Sequence, residues 1–290
     1  MTNVIICIDG TTNTGNMVNQ TNIWKTYRSL APGQKALYLE GVGSPNEGNW
    51  FTRPFHRTLG AVGGYGADAK RDEAYAWLCE NYRAGDELFI FGFSRGAAIA
   101  RMLAMKIGEN NADWGSAGVK FLGCFDTVEA FGVPGNEINL FNDCHISPCV
   151  QHALHLVAID ERRRAFWPTL MNQRPGIEEI WVAGDHCDVG GSHPEFDLSD
   201  ITLGRMMDRA ELHGLEFSRN ARDRLNPNYR APIHENGSSL PEEMRPVGVL
   251  VNDEIDPSLP VQIHESVAQR KDRTLYDPAN IEGVKYQVVR

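Results

Sequence analysis

One serine in this chain has the sequence context of an enzymatic nucleophile. Ser94 lies in the motif Gly-Phe-Ser-Arg-Gly at residues 92–96, which follows the apolar residues 88–91 and precedes a helix-favouring run rich in alanine. A G-x-S-x-G pattern between a strand and a helix is typical of a nucleophile elbow, a strained turn that exposes the serine Oγ above a sheet. Both glycines are expected there because a side chain would collide with the adjacent strand or helix. The alternative is a tight turn that holds an ordinary serine or binds phosphate.

A serine nucleophile also needs a general base and an acid that orients the base. In the α/β-hydrolase arrangement the acid and then the histidine follow the serine along the chain, each at the C-terminal end of a strand. Asp126 follows the strand-like residues 121–125, and His186 follows the strand-like residues 180–184. The order and the placement predict a triad of Ser94, Asp126 and His186.

Other residues compete for the roles of acid and base. Asp160 and Asp188 are alternative candidates for the acid, and His264 is an alternative candidate for the base. Asp160 precedes a Glu-Arg-Arg-Arg run at residues 161–164, which favours an ion-pair cluster instead. Asp188 is placed to orient the backbone of the turn at residues 188–191. The residue types and their spacing leave these alternatives open.

The backbone near the serine is expected to form the oxyanion hole. The Arg95 N–H follows the nucleophile directly, and the second donor is expected from Gly10 or Thr11, in the loop after the first strand. Asp9 precedes this loop, and a carboxylate beside a developing oxyanion would be harmful. We therefore expect Asp9 to hold the loop by accepting backbone N–H groups.

A metal site is the competing interpretation of one polar cluster. The D-H-x-D motif at residues 185–188, together with Asp9, offers oxygen and imidazole ligands. That interpretation describes a metal-dependent phosphoesterase and leaves the elbow serine without a role. Three histidines at positions 145, 152 and 155 lie near cysteines, but their spacing matches no zinc module. We predict neither a metal nor a cofactor.

The pattern of apolar runs predicts an α/β fold. Continuous apolar runs are typical of buried parallel strands, and their alternation with helical segments favours a parallel sheet with right-handed crossovers. We expect an α/β-hydrolase-like architecture, with a mostly parallel sheet and helices on both faces. Strands are predicted at residues 4–8, 36–39, 88–91, 120–125, 155–159 and 179–183, and helices at 21–30, 67–82, from 96 onward, and at 200–215.

The length of 290 residues suits a single domain that spans residues 1–290. Residues 41–66 interrupt the alternating pattern with glycines and aromatic residues, and we interpret them as a lid-like excursion. Residues 226–290 are predicted to be a loop-rich C-terminal segment, with a short helix at 265–270 and a short strand at 286–289.

Charge and hydropathy exclude several classes of partner. The formal net charge of −10 leaves no basic surface for nucleic acid. The N-terminal apolar run is too short for a signal peptide, and no run reaches transmembrane length. The six cysteines lack C-x-x-C spacing and are expected to be reduced. We therefore expect a cytoplasmic protein whose export would need a dedicated secretion system.

Several motifs in order resemble one family, the α/β-hydrolase catalytic domain of type VI secretion phospholipase effectors, formerly a domain of unknown function. The resemblance covers roughly residues 3–215. The motifs are Ile-Asp-Gly-Thr at 8–11 with Asn13, Thr-Asn at 21–22, the elbow at 92–97 with Ala-Arg at 100–101, Phe-Asp-Thr-Val at 125–128, His-Ala-Leu at 152–154 with Ile-Asp-Glu-Arg at 159–162, and the run at 183–191.

The resemblance implies a Ser-Asp-His esterase that transfers the acyl group of a glycerophospholipid to serine and then to water. It assigns the nucleophile to Ser94, the acid to Asp126 and the base to His186. It also implies transient contact with a membrane, and a secretion machine or an immunity protein as partner. Two other hypotheses stay open: an esterase or thioesterase with a small non-lipid substrate, and a catalytically silent α/β-hydrolase that serves as a binding module.

Overall fold

The computed structural model describes residues 1–43, 63–110, 118–129, 145–234, 242–256 and 258–290. Most of the predicted lid-like excursion at 41–66 therefore lies outside the described residues. The five cysteines within these ranges are free thiols, as expected of a reduced protein.

A parallel sheet of eight strands forms the centre of the molecule, in the order β10-β9-β6-β5-β4-β3-β1-β2. Every pairing between neighbours in this sheet is parallel. The prediction of an α/β fold with a mostly parallel sheet is confirmed. In chain order the strands are β1 (Asn3–Ile8), β2 (Lys35–Leu39), β3 (Glu87–Phe93), β4 (Val119–Phe125), β5 (Val150–Ala158), β6 (Ile177–Val182), β7 (Val249–Val251), β8 (Glu254–Asp256), β9 (Val261–His264) and β10 (Tyr286–Val289), of which β7 and β8 form a separate antiparallel pair.

Helices cover both faces of the sheet. Side chains alternate along β1, so that Ile6 packs in one core with α2 and α3, while Ile5 packs in the other with α1 and α5. Burial of both faces explains why β1 is apolar from Val4 to Ile8. The helices are α1 (Asn22–Ser29), α2 (Gly63–Asn81), α3 (Arg95–Glu109), α4 (His186–Gly190), α5 (Asp197–Leu212) and α6 (Glu265–Arg273), with 3₁₀ turns at Arg164–Phe166, Arg222–Arg224 and Ala279–Ile281.

The antiparallel pair β7 and β8 was not predicted, and two strands of the central sheet also differ from the sequence prediction. β5 begins at Val150, earlier than the predicted residue 155. The prediction missed this start because residues 150–152 are only partly buried and do not form a continuous apolar run. β9 was not predicted at all. It has four residues, and it is inserted between β6 and β10 by pairing with both. A strand of four residues is too short to show a recognisable hydrophobic pattern, and the loop before it gives no signal either.

The strand order reverses beside β1. The chain passes from β1 outward to β2 and then crosses back, so that β3 pairs with the other side of β1. Ligands of open α/β sheets bind at such a switch point, in the crevice beyond the C-terminal ends of the strands. Ser94 follows β3, and Asp9 follows β1. The topology therefore places the predicted nucleophile at the crevice.

Gly96 packs against the backbone of β1. A Cβ at this position would lie 2.3 Å from the Ile8 carbonyl oxygen and 2.4 Å from that of Asp9, which is too close for any side chain. We expect Gly96→Ala to lower the free energy of unfolding by about 1–3 kcal/mol through overpacking, measured by urea denaturation. Gly204→Ala is the matched control within α5, where the nearest atom lies at 3.9 Å. There, alanine should stabilise the helix by up to about 1 kcal/mol.

Candidate active site

Ser94 occupies a strained turn between β3 and α3. Its φ of 56° and ψ of −126° lie in a region that residues other than glycine rarely adopt. The Ser94 N–H donates to the Phe125 carbonyl (3.0 Å), and the Ser94 carbonyl accepts from Val128 (3.3 Å). Hydrogen bonds on both sides therefore hold the turn against the end of β4. A strained serine held in this way has the geometry of a nucleophile elbow.

His186 and Asp126 form a buried hydrogen-bonded pair. The His186 Nδ1 lies 2.6 Å from the Asp126 Oδ2, and the two residues are 4% and 0% exposed. A carboxylate at Nδ1 fixes the tautomer that leaves Nε2 free to accept a proton. The rings of Phe93 and Phe166 pack against the imidazole, with centroids at 4.6 and 5.0 Å. The imidazole is thus fixed in position and in tautomer.

The three predicted catalytic side chains lie on neighbouring stretches of one sheet edge. Ser94 is hydrogen-bonded to the residue before Asp126, and Phe93, the residue before Ser94, packs on the His186 ring. The structure thus pairs the predicted acid with the predicted histidine and places the backbone of Ser94 against the end of the strand that precedes the acid.

Arg245 completes the surroundings of Asp126, and sequence reasoning missed it. Its guanidinium donates to Asp126 Oδ1 (2.6 Å) and Oδ2 (2.9 Å), to the Ala158 carbonyl (2.9 Å) and to the Phe166 carbonyl. Burial disfavours the ionised form of Asp126, but Arg245 and then His186 outweigh it and hold the pKa of this carboxyl well below its usual range. Arg245 lies in the loop-rich segment, where nothing in the local sequence distinguishes it. The one available signal was general: if Asp126 is fully buried, its carboxylate needs a cation nearby, which some arginine or lysine must supply.

His155 supports the backbone next to the acid. Its Nε2 accepts the Thr127 N–H (3.0 Å), and its Nδ1 lies 2.8 Å from the Glu179 Oε2. Glu179 also accepts the Met171 N–H (2.8 Å). Nothing in the local sequence pattern assigned this buried histidine a part in the site.

Asp160 and Glu161 link elements around the site. The Asp160 Oδ2 accepts the Gly184 N–H (2.7 Å) and the Tyr276 hydroxyl (2.8 Å), and burial raises the pKa of Asp160 to about 6. Asp160 is therefore not the partner of the histidine. Glu161 forms the expected ion pair, with Arg163 (2.9 and 2.6 Å). Its Oε2 also accepts the His186 N–H (3.3 Å).

Asp188 caps the short helix that carries His186. Its Oδ2 accepts the Asp185 N–H (3.0 Å) while the Asp185 Oδ1 accepts the Asp188 N–H (2.7 Å), a reciprocal capping box. The expectation that Asp188 orients the turn at residues 188–191 was wrong, because its carboxylate points to Asp185 and His234 instead. Asp188 is therefore not the carboxylate that pairs with the His186 side chain, which is Asp126.

His264 is engaged at another helix. It is the N-cap of α6, where its Nδ1 accepts the Ser266 N–H (3.2 Å) and lies 2.9 Å from the Ser266 Oγ. Burial, assisted by the charge of Arg205, lowers the pKa of His264 to about 4. The structure thus gives His264 a capping role, and the alternative that it is the base loses its support.

Of the two candidates for the second oxyanion donor in the loop after β1, one is already engaged. The Gly10 N–H donates to Asp9 Oδ1 (2.7 Å), so Gly10 is withdrawn as a candidate. The Thr11 Oγ1 is buried and has no hydrogen-bond partner among the described residues. Arg95 is the first residue of α3, and its N–H therefore has no acceptor within the helix. Thr11 and the Arg95 N–H remain the candidate donors.

Asp9 holds the loop as expected. Its carboxylate accepts the Gly10 N–H, the Thr21 hydroxyl (2.6 Å) and the Tyr38 hydroxyl (2.8 Å). Burial raises the pKa of Asp9 to about 6, although these three hydrogen bonds oppose the shift.

The metal site considered at residues 185–188 with Asp9 does not assemble, because Asp9 bonds Thr21 and Tyr38. Another group in the described ranges has ligand atoms within 4.8 Å of one another, namely Asp188, His193 and His234. His234 Nδ1 lies 2.6 Å from Asp188 Oδ1, and its Nε2 lies 3.1 Å from Glu195 Oε2. Burial opposes the charge on His234, but these carboxylates raise its pKa above the ordinary value. Within this cluster His234 is thus hydrogen-bonded to carboxylates through both ring nitrogens.

A family model matches most of the chain, at residues 2–112 and 105–209. It is described as "T6SS, Phospholipase effector Tle1-like, catalytic domain". The chain belongs to this family. The match contains the elbow serine, the acid and the histidine, whereas the buried cation Arg245 and the strands β9 and β10 lie beyond it.

Individual relatives of this Tle1-like chain are distant. The uncharacterized protein YEL023C of Saccharomyces cerevisiae is 26% identical over 233 residues, an alignment that covers 62% of this chain and 34% of the yeast protein. A crystal structure of an uncharacterized protein from Pseudomonas aeruginosa shares the fold, with a TM-score of 0.58, 19% identity, and coverage of 76% of this chain and 47% of that one. The chain thus spans about a third and about half of these proteins.

A second similar structure is the Tle1 effector bound to the VgrG spike of the type 6 secretion system. Its TM-score is 0.45 at 23% identity, with coverage of 66% of this chain and 51% of that one.

Within the described ranges, no helix of this Tle1-like chain is long and apolar enough to cross a bilayer.

Arg245→Met tests the cation beneath the acid. The substitution leaves Asp126 fully buried without its cation, and removing one partner of a buried pair costs about 3–5 kcal/mol. We expect a loss of this size in the free energy of unfolding, measured by urea denaturation at pH 7. Arg222→Met is the control, because the side chain of Arg222 is 40% exposed and pairs with Asp208 and Glu211 at the surface. It should cost less than about 1 kcal/mol; equal losses would contradict the assignment.

Asp9 should make stability depend on pH. Its pKa is raised from 3.8 to about 6, so the folded state binds a proton more tightly than the unfolded state. The free energy of unfolding should therefore fall as pH rises from 4 to 6, and the share of Asp9 is about 3 kcal/mol. Asp9→Asn should flatten this decline, measured by urea denaturation across the range. Asp272→Asn, at an exposed position in α6, should leave it unchanged.

Proposed function

We propose that this Tle1-like chain is a serine carboxylester hydrolase that cleaves glycerophospholipids through an acyl-enzyme. Ser94 is the nucleophile, His186 the general base and Asp126 the residue that orients the base. The observation that carries the proposal is the buried 2.6 Å pair of His186 and Asp126 beside a strained serine. The description of the family as phospholipase effectors supports the choice of substrate.

The proposed reaction has two halves. His186 Nε2 takes the proton of the Ser94 hydroxyl as Oγ attacks the acyl carbon, and the Arg95 N–H and Thr11 stabilise the oxyanion. The intermediate collapses when His186 returns that proton to the departing alcohol oxygen, which leaves the acyl group on Ser94. Water then attacks the acyl-enzyme with His186 as base, and the fatty acid leaves as Ser94 regains its proton.

Asp126 stays ionised through both halves. The pair with Arg245 favours the carboxylate, so Asp126 stabilises the imidazolium without taking its proton. Because Arg245 neutralises part of its charge, the main task of Asp126 is to hold the tautomer and orientation of His186.

We also propose that the chain is delivered by a type VI secretion machine. The family description and the solved complex of the Tle1 effector with a VgrG spike support this setting. Co-purification of this chain with a VgrG spike protein from its own source would test it. Failure to co-purify would leave the ester hydrolase proposal standing.

Labelling with a fluorophosphonate tests the mechanism. Wild type should be labelled on Ser94, located by mass spectrometry, and Ser94→Ala should not be labelled. His186→Ala should lose labelling, and both variants should lose phospholipid hydrolysis by about 10⁴-fold or more. His264→Asn is the matched histidine control, since asparagine preserves the N-cap of α6. It should stay close to wild type.

The alternatives give different results. An unlabelled wild type, tested with detergent present, would favour a binding module. Hydrolysis that chelators abolish while Ser94→Ala retains it would favour a metal-dependent reaction. Turnover of small esters or thioesters without turnover of phospholipids would keep the triad and remove the lipid substrate.

A further inference from the structure

Arg95 is a buried cation for which the described part of the chain supplies no partner. The residue is only 9% exposed, and in the described part of the chain its guanidinium makes no hydrogen bond, ion pair or ring contact. Other buried arginines differ in this respect. Arg245 donates to Asp126 (2.6 and 2.9 Å), and Arg270 donates to the carbonyls of Tyr229 (2.5 Å) and Ala231 (2.7 Å).

The missing counterion is unfavourable for the protein alone. A buried charge is normally paired or fully hydrogen-bonded, because desolvation is otherwise uncompensated. Burial lowers the pKa of Arg95 to about 10, so the guanidinium remains charged at neutral pH. In a chain with a formal net charge of −10, this is a local positive charge that attracts an anion.

The position of Arg95 relates this charge to the proposed nucleophile. Arg95 follows Ser94 directly and begins α3, a helix of 15 residues with no acidic side chain in its first turn. The N–H groups of the first turn and the helix dipole add positive potential at the same place. Two independent features therefore favour an anionic group within one residue of the serine.

We propose that the Arg95 side chain binds the phosphodiester of the phospholipid whose ester Ser94 attacks. A glycerophospholipid carries its acyl esters and its phosphodiester on one glycerol unit, so the anion lies close to the reacting carbonyl. A guanidinium binds two phosphate oxygens at once, and such charge-assisted pairs are strong when desolvated. Arg95 thereby selects phospholipids over uncharged acylglycerols of the same chain length. This inference rests on the proposed function.

The side chain and the backbone of Arg95 have separable roles. Any substitution keeps the Arg95 N–H as an oxyanion donor, so a variant changes the proposed phosphate contact alone. Arg95→Met keeps an unbranched apolar stem and removes the charge. Arg95→Lys keeps the charge and loses the two-oxygen geometry.

The experiment compares two short-chain substrates with the same acyl groups, dihexanoyl phosphatidylcholine and dihexanoyl glycerol. Arg95→Met should lower kcat/KM for the phospholipid by at least about 30-fold and change it for the uncharged diester by less than about threefold. Arg95→Lys should lie between wild type and Arg95→Met on the phospholipid. Arg28→Met, which removes an exposed charge from α1, is the control and should match wild type on both substrates. An equal loss on both substrates, or no loss, would overturn the proposal.

Binding measured without turnover separates this inference from the mechanism. Calorimetric titration of Ser94→Ala with dihexanoyl phosphatidylcholine should give an affinity that the double variant Ser94→Ala/Arg95→Met loses by a similar factor. If the double variant binds equally well, the role of Arg95 is overturned even where Ser94 proves to be the nucleophile. If binding depends on Arg95 but wild type fails to hydrolyse either substrate, the phosphate site stands and the hydrolase proposal fails.

Discussion

The buried carboxylate of Asp126 is the constraint on which the site depends. It is fully enclosed, and it accepts from Arg245, His186 and the Ala158 N–H (2.9 Å) at once. Each donor comes from a different part of the chain, and each is needed because an ionised carboxylate without hydrogen bonds is strongly destabilised in the interior. The sheet edge, α4 and the loop before β7 are therefore tied together at one residue.

Backbone strain at this edge is consistent with that constraint. Ser94 and Asp126 both have positive φ, 56° and 39°, at the ends of adjacent strands β3 and β4. The Ser94 N–H bonds the carbonyl of Phe125, and the Asp126 N–H bonds the carbonyl of Leu156 (2.8 Å). Strained residues persist where the surrounding structure over-determines them. Here the register of three parallel strands supplies that support.

Local patterns predicted most of the central sheet and favoured the acid and the histidine that the structure shows hydrogen-bonded to each other. Apolar runs located β1, β3, β4 and β6, since buried parallel strands are apolar on both faces. Asp126 and His186 could be selected because each follows such a run, and parallel strands end at the same edge. Selection from apolar runs failed for residues that reach the site through contacts between segments distant in the chain.

Arg245 and Gly10 illustrate that limit. Arg245 reaches Asp126 from a loop far along the chain, and no periodicity marks it. Gly10 was a reasonable oxyanion donor until the side chain of Asp9 was seen to take its N–H. Whether the Gly10 N–H is free depends on the rotamer of Asp9, and a sequence pattern does not specify rotamers.

The location of Arg245 also has a consequence for synthesis of the protein. The serine, the acid and the histidine all leave the ribosome before Arg245 and before β9 and β10, which extend the sheet beside β6. Until Arg245 arrives, Asp126 lacks the cation that compensates its burial, so burial of this carboxylate is disfavoured on the nascent chain. Since chains emerge from the ribosome N-terminal end first, the buried pair of Asp126 and His186 gains its cation only after residue 245 has been synthesised.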